Sequence, residues 1–573
     1  MKRTRASVLA LLLVVSMVAM PLSAAGAVGT SPMTDHTDTV TGQSVPMSVT
    51  AQEDDDRPDD PTTTDTIGYV EGYWYDDDLP VDDRDDAVLE DDELDAVVYR
   101  SMARVEVIRE RTFDREVDVD VRTREAVREE TIADFEDVTE AERLHQNVRF
   151  EALFMVDRET DAVDEFAALY SDAVGGYYDP ETEEIVVVSD SPETPELDEV
   201  ILGHELLHAL QDQYFDLESY ERATRDQATA EEGLIEGDAV TVEREYAQRC
   251  EGEWDCVLPS GTPQQPPELN WGIYFTIFQP YDDGPAYVEY LYEQGGWDAV
   301  DAAFDEPPAS ASDVMYPEED REPAEIEIED RSSDRWERVE IEDGPDYASF
   351  GEGAMATMLA AGAFDDTGQS VVSTEEFLSF DFGGGIDEIH YSQPYTDGWN
   401  GDRLVTYTTD EATVDESGYV WETEWLDDGE AEQFVDGYLQ LLEVNGGEPV
   451  DDRQDTVVID DEDGFPGAYY VDHDDTTVTI VRAPSVDELE EIREGAAPDG
   501  EDTLEAGVSW QGQGESDEAG DEETDTDGED DADASADDTD DTDTDTDELP
   551  GFGIGGALLA VLVGTLALAL RRG

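Results

Sequence analysis

The balance of charge constrains the folding of this chain more than any other feature. Its 573 residues include 153 aspartates and glutamates against 30 lysines and arginines, which gives a formal net charge of −123. Such a chain repels itself and resists compaction in dilute salt. At molar salt the Debye length falls to about 3 Å, and most of that repulsion is screened. We therefore expect folding in concentrated salt, and we exclude a nucleic-acid binder, because phosphates need cationic partners.

The acidity is spread along the whole chain. Residues 515–548 hold 20 of the acidic side chains, which leaves 133 elsewhere, and Lys2 is the only lysine. In this respect the sequence resembles proteins of extreme halophiles. Aromatic residues make up 9% and hydrophobic residues 38% of the chain, which is more than a disordered polymer carries. We predict a folded α+β middle flanked by disordered acidic ends.

The composition divides the chain into five parts. Residues 1–27 combine a basic start, an apolar run and small residues, and this pattern is typical of a secretory signal peptide. Residues 28–66 are predicted to be a disordered linker, 67–495 the globular region, and 496–549 an acidic stalk rich in Asp and Thr. Residues 550–573 contain an apolar run that is just long enough to cross a bilayer.

The C-terminus indicates where the protein is held. Arg571 and Arg572 follow the apolar run and place that end in the cytoplasm, so the globular region lies outside the cell. Pro550, Gly551 and Phe552 precede the run. The arrangement resembles the PGF-type sorting signal of haloarchaeal surface proteins, which implies processing by an archaeosortase-type enzyme and replacement of the helix by a lipid, as in a lipoprotein. The alternative is an unprocessed transmembrane anchor, and both place the protein at the cell surface.

Two cysteines, Cys250 and Cys256, are six residues apart. Outside the cell such a pair favours a disulfide. A metal site would need further thiols nearby, and the sequence has none.

Hydrophobic periodicity locates the predicted elements. It predicts helices over 97–109, 164–174, 194–210, 228–246, 287–304, 350–363 and 429–442. It predicts strands over 185–188, 403–409, 419–425, 456–459, 468–471 and 477–481.

The motif that carries chemistry is His204-Glu205-Leu206-Leu207-His208. Histidines four residues apart lie on one face of a helix, so both imidazoles can reach one ion. With six histidines in the chain, a chance motif of this type is expected roughly 0.02 times. Zinc bound there would activate a water, and Glu205 would act as the general base.

A catalytic zinc needs a third protein ligand and one open position. Glu236 lies in the sequence Glu236-Gly237-Asp238-Ala239, and Glu232 is one helical turn earlier. The motif resembles the gluzincin metallopeptidases, in which a second helix supplies a glutamate from a similar sequence. The resemblance implies Glu236 as ligand, with Glu232 as the reserve. His145, His390 and His473 are rival ligands without support from a motif.

The same resemblance has implications for the fold and for the rest of the site. It implies a zincin-like core in which an edge strand within 176–188 precedes the metal helix and pairs with extended substrate, followed by a helical C-terminal subdomain. Residues 175–442 as a whole resemble a microbial HExxH peptidase family, including the sequence Phe278-Gln279-Pro280-Tyr281. Tyr246 and His390 are candidates for the oxyanion stabiliser. Asp402-Arg403, in a predicted buried turn, is either a structural pair or a clamp for a substrate carboxylate.

These observations predict a secreted, halophilic cell-surface hydrolase, a zinc metalloprotease whose partner is a peptide or protein substrate. The competing hypothesis is a surface or adhesion protein whose zincin-like domain is inactive. The presence of Glu205 in the motif argues against a loss of catalytic activity. A purely structural zinc site is disfavoured, because closed sites normally carry four Cys or His ligands.

Overall fold

The chain folds as a mixed α+β protein in a computed structural model. The structure describes residues 14–17 and 57–504, apart from short gaps at 83, 85, 137, 173, 221, 260–268, 320, 322, 343, 366–367, 381–385 and 461–463. The described part therefore includes the end of the predicted linker, 57–66, and the start of the predicted stalk, 496–504. Most of the predicted signal peptide and the whole of the predicted C-terminal anchor lie outside the described residues.

The helices of the described region are α1 (Asp91–Arg109), α2 (Arg124–Glu136), α3 (Glu140–Ala152), α4 (Ala162–Asp172), α5 (Glu199–Phe215), α6 (Arg225–Cys250), α7 (Trp271–Gly295), α8 (Trp297–Asp305), α9 (Ala311–Met315), α10 (Glu352–Ala360), α11 (Thr374–Phe377), α12 (Asp428–Val444) and α13 (Val486–Ile492). The strands are β1 (Val14–Met17), β2 (Tyr69–Val70), β3 (Tyr73–Trp74), β4 (Asp118–Arg122), β5 (Val174–Asp179), β6 (Glu184–Val188), β7 (Glu337–Arg338), β8 (Leu378–Phe380), β9 (Ile386–Ile389), β10 (Trp399–Thr408), β11 (Ser417–Trp425), β12 (Glu448–Pro449), β13 (Thr456–Ile459), β14 (Gly467–Asp474) and β15 (Thr477–Ala483).

A small mixed sheet lies beside helix α5. Its strand order is β1-β5-β6-β4, with β5 antiparallel to β6 and β4 parallel to β6. Strand β1 pairs antiparallel with the outer side of β5, so that Val14 is opposite Tyr178 and Ser16 is opposite Gly176. Helix α5 contacts β1, β5 and β6. The helix with the histidine motif is therefore supported along its length by this sheet.

Helix α5 begins at a well-formed cap. Asp198 stands before the first turn, and its carboxylate accepts hydrogen bonds from the backbone N–H of Val200 and Ile201 at 3.0 and 3.4 Å. The sequence analysis places the start at Thr194 and Pro195, and this prediction was wrong. Asp198 is the stronger cap because its side chain reaches two N–H groups that the first turn leaves without partners. The helix also continues past the predicted end, to Phe215.

Helices α6 and α7 approach each other through glycines. A methyl group on Gly237 or on Gly284 would overlap the backbone of the opposite helix. The small residues let the two helix backbones come into direct contact, which ordinary side chains would prevent. Pro280 and Pro285 lie inside α7, and each lacks the N–H that would bond one turn back.

The second half of the chain forms a large antiparallel sheet. Its order is β12-β13-β14-β15-β11-β10-β7. Alternate residues bury opposite faces, since Leu404 belongs to a core shared with α3, α7 and α12, whereas Val405 packs on the other face with Trp336. This alternation is the signature of a strand buried on both sides.

The predicted elements agree with the structure best where periodicity is strong. Strand β13 has the predicted bounds. Helices α4 and α12 differ from prediction by one or two residues at both ends, and β6 and β11 differ only at their first residues. The prediction of a single helix over 287–304 is wrong, because Gly296 adopts a φ of 69° and separates α7 from α8. Asp402 lies inside strand β10 and not in a turn. Helices α2 and α3 are rich in charged residues, and the sequence analysis missed them.

A disulfide lies at the end of helix α6. The structure joins Cys250, at the end of α6, to Cys256 in a disulfide with the Cα atoms 5.6 Å apart. No helix among the described residues has both the length and the apolar character that a bilayer span requires.

Candidate metal centre

The two histidines of the motif and Glu236 converge at the contact between α5 and α6. One ligand atom from each of His204, His208 and Glu236 lies within 4.8 Å of the others, and all three residues are buried. Oε2 of Glu236 is 3.3 Å from Nε2 of His204 and 3.4 Å from Nε2 of His208. The two imidazole rings face each other edge-on, with centroids 4.7 Å apart.

The spacing of these atoms fits a zinc ion. Zinc–nitrogen and zinc–oxygen bonds of about 2.1 Å in a tetrahedral arrangement place neighbouring ligand atoms about 3.4 Å apart. Both Nε2 atoms and Oε2 of Glu236 are buried without a hydrogen-bond partner, and such atoms are costly unless something binds them. Two imidazole nitrogens and one carboxylate oxygen are also the donor set of many catalytic zinc sites.

The carboxylates of Glu236 and Glu243 and the two imidazoles stabilise one another's charged forms. Burial by itself would raise the pKa of Glu236, but the two histidines outweigh it and hold the pKa at about 2. Burial opposes a charge on His204 as well, yet the carboxylates of Glu236 and Glu243 raise its pKa well above the ordinary value. The pocket therefore favours a positive charge between these side chains, and a divalent cation supplies one.

Each histidine is oriented by a partner at its outer nitrogen. Nδ1 of His204 is 2.9 Å from Oε2 of Glu243, and Nδ1 of His208 is 2.9 Å from Oε1 of Gln211. Partners of this kind orient the rings of metal-binding histidines and raise their basicity. The sequence analysis missed both. Their signals are helical spacing, because Glu243 follows Glu236 by about two turns and Gln211 follows His208 by about one.

Glu205 occupies the position that the motif predicts for a general base. It follows His204 on α5, and its side chain is buried beside the cluster. A carboxylate next to a metal-bound water can exchange a proton with it.

The structure distinguishes Glu236 from Glu232, the reserve ligand. Oε2 of Glu232 is 2.5 Å from Nη2 of Arg225, so that carboxylate is engaged away from the imidazoles. His145 bonds to Thr406, His390 to Ser379, and His473 to the carbonyl of Asp475. Among the described residues, Glu236 is the carboxylate that lies close to both histidines of the motif.

Tyr281 of α7 is a neighbour that the sequence analysis did not assign to the site. Its hydroxyl donates to Oε1 of Glu236 at 3.0 Å. Burial and the nearby carboxylate of Glu236 raise its pKa well above the ordinary value, so the hydroxyl keeps its proton as a donor. The signal that could have found it is its place in the sequence Phe278-Gln279-Pro280-Tyr281.

Other predicted residues have structural partners elsewhere. The hydroxyl of Tyr246 donates to Glu199 at 2.7 Å inside a buried network with Ser101. This pairing argues against Tyr246 as an oxyanion stabiliser.

The carboxylate of Asp402 accepts backbone N–H groups of Phe350 and Gly351, at distances from 2.9 to 3.1 Å, and the indole N–H of Trp421. Arg403 lies over the ring of Tyr347, with its guanidinium carbon 3.9 Å from the centroid. Asp402 therefore fastens strand β10 to the start of α10, as the structural alternative for this dipeptide predicts, although the two residues do not form the predicted pair.

Comparison with known proteins reaches only the second half of the chain. Residues 337–493 match a family described as "Domain of unknown function (DUF8575)". This match covers the large sheet with α10 to α13 and does not include α5 or α6. No curated protein and no solved structure matches the chain.

Proposed function

We propose that the protein is a zinc-dependent metallopeptidase of the gluzincin type, held at the outer face of the cell membrane. The observation that carries the proposal is the convergence of Nε2 of His204, Nε2 of His208 and Oε2 of Glu236 at distances that suit one ion. The small sheet with α5 and α6 supports a zincin-like core. The surface location is supported by the signal peptide and the C-terminal segment of the sequence.

In the proposed mechanism His204, His208 and Glu236 hold the metal. When bound, zinc would act as a Lewis acid that polarises the scissile carbonyl. It would also lower the pKa of a bound water enough for attack near neutral pH. Glu205 accepts the proton of the attacking water and passes it to the leaving amine. Tyr281 donates its one hydroxyl hydrogen to Glu236 and keeps that ligand in place.

Strand β5 supports the binding of an extended substrate. Its outer side pairs antiparallel with Val14–Met17, which shows that this edge accepts an extended segment next to α5. The paired segment belongs to the predicted signal peptide. Removal of residues 1–27 would therefore free this edge of β5.

The deciding experiment compares Glu205→Gln with the wild-type protein in molar salt. The substitution keeps the shape of the side chain and removes its ability to take a proton, so we expect retained zinc and lost hydrolysis of a casein-type substrate. Glu218→Gln is the control, because Glu218 is exposed just beyond α5. Unchanged cleavage by Glu205→Gln would remove Glu205 from the mechanism.

The same measurements test the alternative. A wild-type protein that binds one zinc but cleaves nothing in a proteomic library would be a non-catalytic surface protein. A wild-type protein that binds no zinc would overturn the proposed centre.

A further inference from the structure

A buried chain of hydrogen bonds leads from α1 to the metal centre. Arg109, at the end of α1, donates from Nε to both carboxylate oxygens of Asp238, at 2.9 and 3.2 Å. Oδ2 of Asp238 accepts from Nε2 of Gln211 at 3.1 Å, and the same nitrogen donates to the carbonyl of Ile235 at 3.0 Å. Oε1 of Gln211 then faces Nδ1 of His208 at 2.9 Å. The side chains of the four linked residues are almost fully buried.

The partners of Gln211 allow only one orientation of its amide. An amide can be turned over without changing its shape, so its orientation follows from the atoms around it. Asp238 and the carbonyl of Ile235 both accept hydrogen bonds. With the amide reversed, Oε1 would face these two acceptors and the buried N–H groups would lose their partners. The nitrogen of Gln211 must therefore face Asp238.

This orientation determines the tautomer of His208. Because Oε1 of Gln211 can only accept, Nδ1 of His208 must carry a hydrogen. When a metal takes the place of any hydrogen on Nε2, the neutral imidazole keeps its one hydrogen on Nδ1, and the lone pair of Nε2 is directed to the metal. His204 needs no such chain, since the carboxylate of Glu243 accepts through either oxygen.

The chain also explains why residue 211 is a glutamine. The position requires an acceptor toward His208 and a donor toward Asp238. A glutamate would place a second carboxylate 3.1 Å from Asp238, and a hydrocarbon side chain would supply neither group. Arg109 completes the arrangement. Burial opposes its charge, but Asp238 and Asp301 raise its pKa, so it remains a cation.

We propose that Arg109, Asp238 and Gln211 are positioning residues that hold His208 in the tautomer with hydrogen on Nδ1 and so keep Nε2 available to the metal. The inference rests on the proposed metal centre, but the hydrogen on Nδ1 of His208 is required in the metal-free protein as well, because Gln211 presents an acceptor there, and it can be measured in that form.

The test uses Gln211→Met, which keeps the length of the side chain and removes its acceptor and donors. Selective ¹⁵N-histidine labelling of the metal-free protein reports the tautomer of each ring, and the signal that is lost in His208→Gln identifies His208. We expect hydrogen on Nδ1 of His208 in the wild type, whether or not Nε2 also carries a hydrogen toward Glu236. In Gln211→Met, which has no acceptor at Nδ1, we expect a fraction of rings without that hydrogen. Competition with a chromophoric chelator should show zinc binding about 10- to 100-fold weaker in the variant.

Two further variants separate positioning from a merely structural role. Gln213→Met is the matched control on the same helix, because Gln213 bonds to the backbone of Asp114 and Arg115 and not to a histidine. Gln213→Met should change neither the hydrogen on Nδ1 of His208 nor the zinc affinity. The double substitution Gln211→Glu with Asp238→Asn replaces the repulsion between two carboxylates by a hydrogen bond, while the carbonyl of Ile235 still loses its donor. It should therefore restore part of the zinc affinity that Gln211→Glu alone loses.

Each outcome is decisive. Full retention of the hydrogen on Nδ1 of His208 in Gln211→Met overturns the inference, even if zinc affinity falls. A failure of the double substitution to exceed Gln211→Glu also counts against it. If the wild type binds no zinc but holds a hydrogen on Nδ1 of His208 that Gln211→Met disturbs, the positioning chain stands and the proposed function fails.

Discussion

The hydroxyl of Tyr281 donates a hydrogen bond of 3.0 Å to one carboxylate oxygen of Glu236, whose other oxygen faces the two imidazoles. One side chain on α6 is thereby shared between α5, through the histidines, and α7, through the tyrosine. The metal centre consequently depends on the mutual position of three helices.

Tyr281→Phe is expected to weaken zinc binding by about 10- to 100-fold, the loss typical of a removed outer partner of a metal ligand, because Glu236 loses its donor. Competition with a chromophoric chelator checks this expectation. Tyr292→Phe, farther along α7, should have no effect on zinc binding. An unchanged zinc affinity in Tyr281→Phe would contradict this role.

Glu236→Gln should lower zinc affinity by more than the roughly 10- to 100-fold typical of outer partners, because it removes a charged ligand. Glu232→Gln should leave zinc binding near the wild-type value, since Glu232 pairs with Arg225. Metal content after dialysis measures both. Equal losses in the two variants would contradict the choice of Glu236.

Gly237→Ala should destabilise the protein by about 1–3 kcal/mol or more, the cost of overpacking, because the added methyl would overlap the backbone of Gly284. The strain should also move Tyr281 away from Glu236 and weaken zinc binding. Thermal unfolding in molar salt measures the first effect. The control is Gly252→Ala, since a methyl on Gly252 meets nothing within 4 Å.

Glu106 on α1 should make stability fall as the pH rises. Its buried carboxylate accepts the backbone N–H groups of Gly68 and Phe113 at 2.9 Å each. Burial raises its pKa from 4.5 to about 8 despite these hydrogen bonds. The folded state therefore keeps a proton that the unfolded state releases. The stabilisation is complete below about pH 4.5 and is lost as the pH rises through about 8.

Glu106→Gln should remove this dependence. The difference in unfolding free energy between wild type and variant should change by up to about 1.4 kcal/mol per pH unit within that window. Chemical denaturation between pH 5 and 8 measures it. Glu129→Gln, an exposed residue of α2, serves as control, and parallel curves for wild type and Glu106→Gln would contradict the prediction.

Removal of residues 1–27 should increase peptidase activity, because Val14–Met17 pairs with the edge of β5 that we propose for substrate. The comparison is between a chain that begins at Val28 and a precursor in which cleavage is blocked by Ala25→Leu with Ala27→Leu. The value of kcat/KM on an extended peptide should be higher for the shorter chain. Equal values would show that this pairing does not restrict access.

The sequence alone determined the local part of the site. A helix brings residues four apart to one face, so the spacing of His204 and His208 was enough to predict that both rings reach one point. The close spacing of Cys250 and Cys256 was likewise enough to predict their pairing. The pattern of β-branched residues predicted β6 and β13 for the same reason, since alternation along a strand is a local property.

Tertiary structure decided everything that depends on the meeting of separate elements. The resemblance favoured Glu236, but helical spacing alone left Glu232 as an alternative. The packing of α6 on α5 turns Glu236 toward the histidines and leaves Glu232 paired with Arg225. Helix α7 contributes Tyr281 because glycines let its backbone touch α6. Such contacts join residues far apart in the chain, and their geometry follows from the packing of whole helices, which no local pattern encodes.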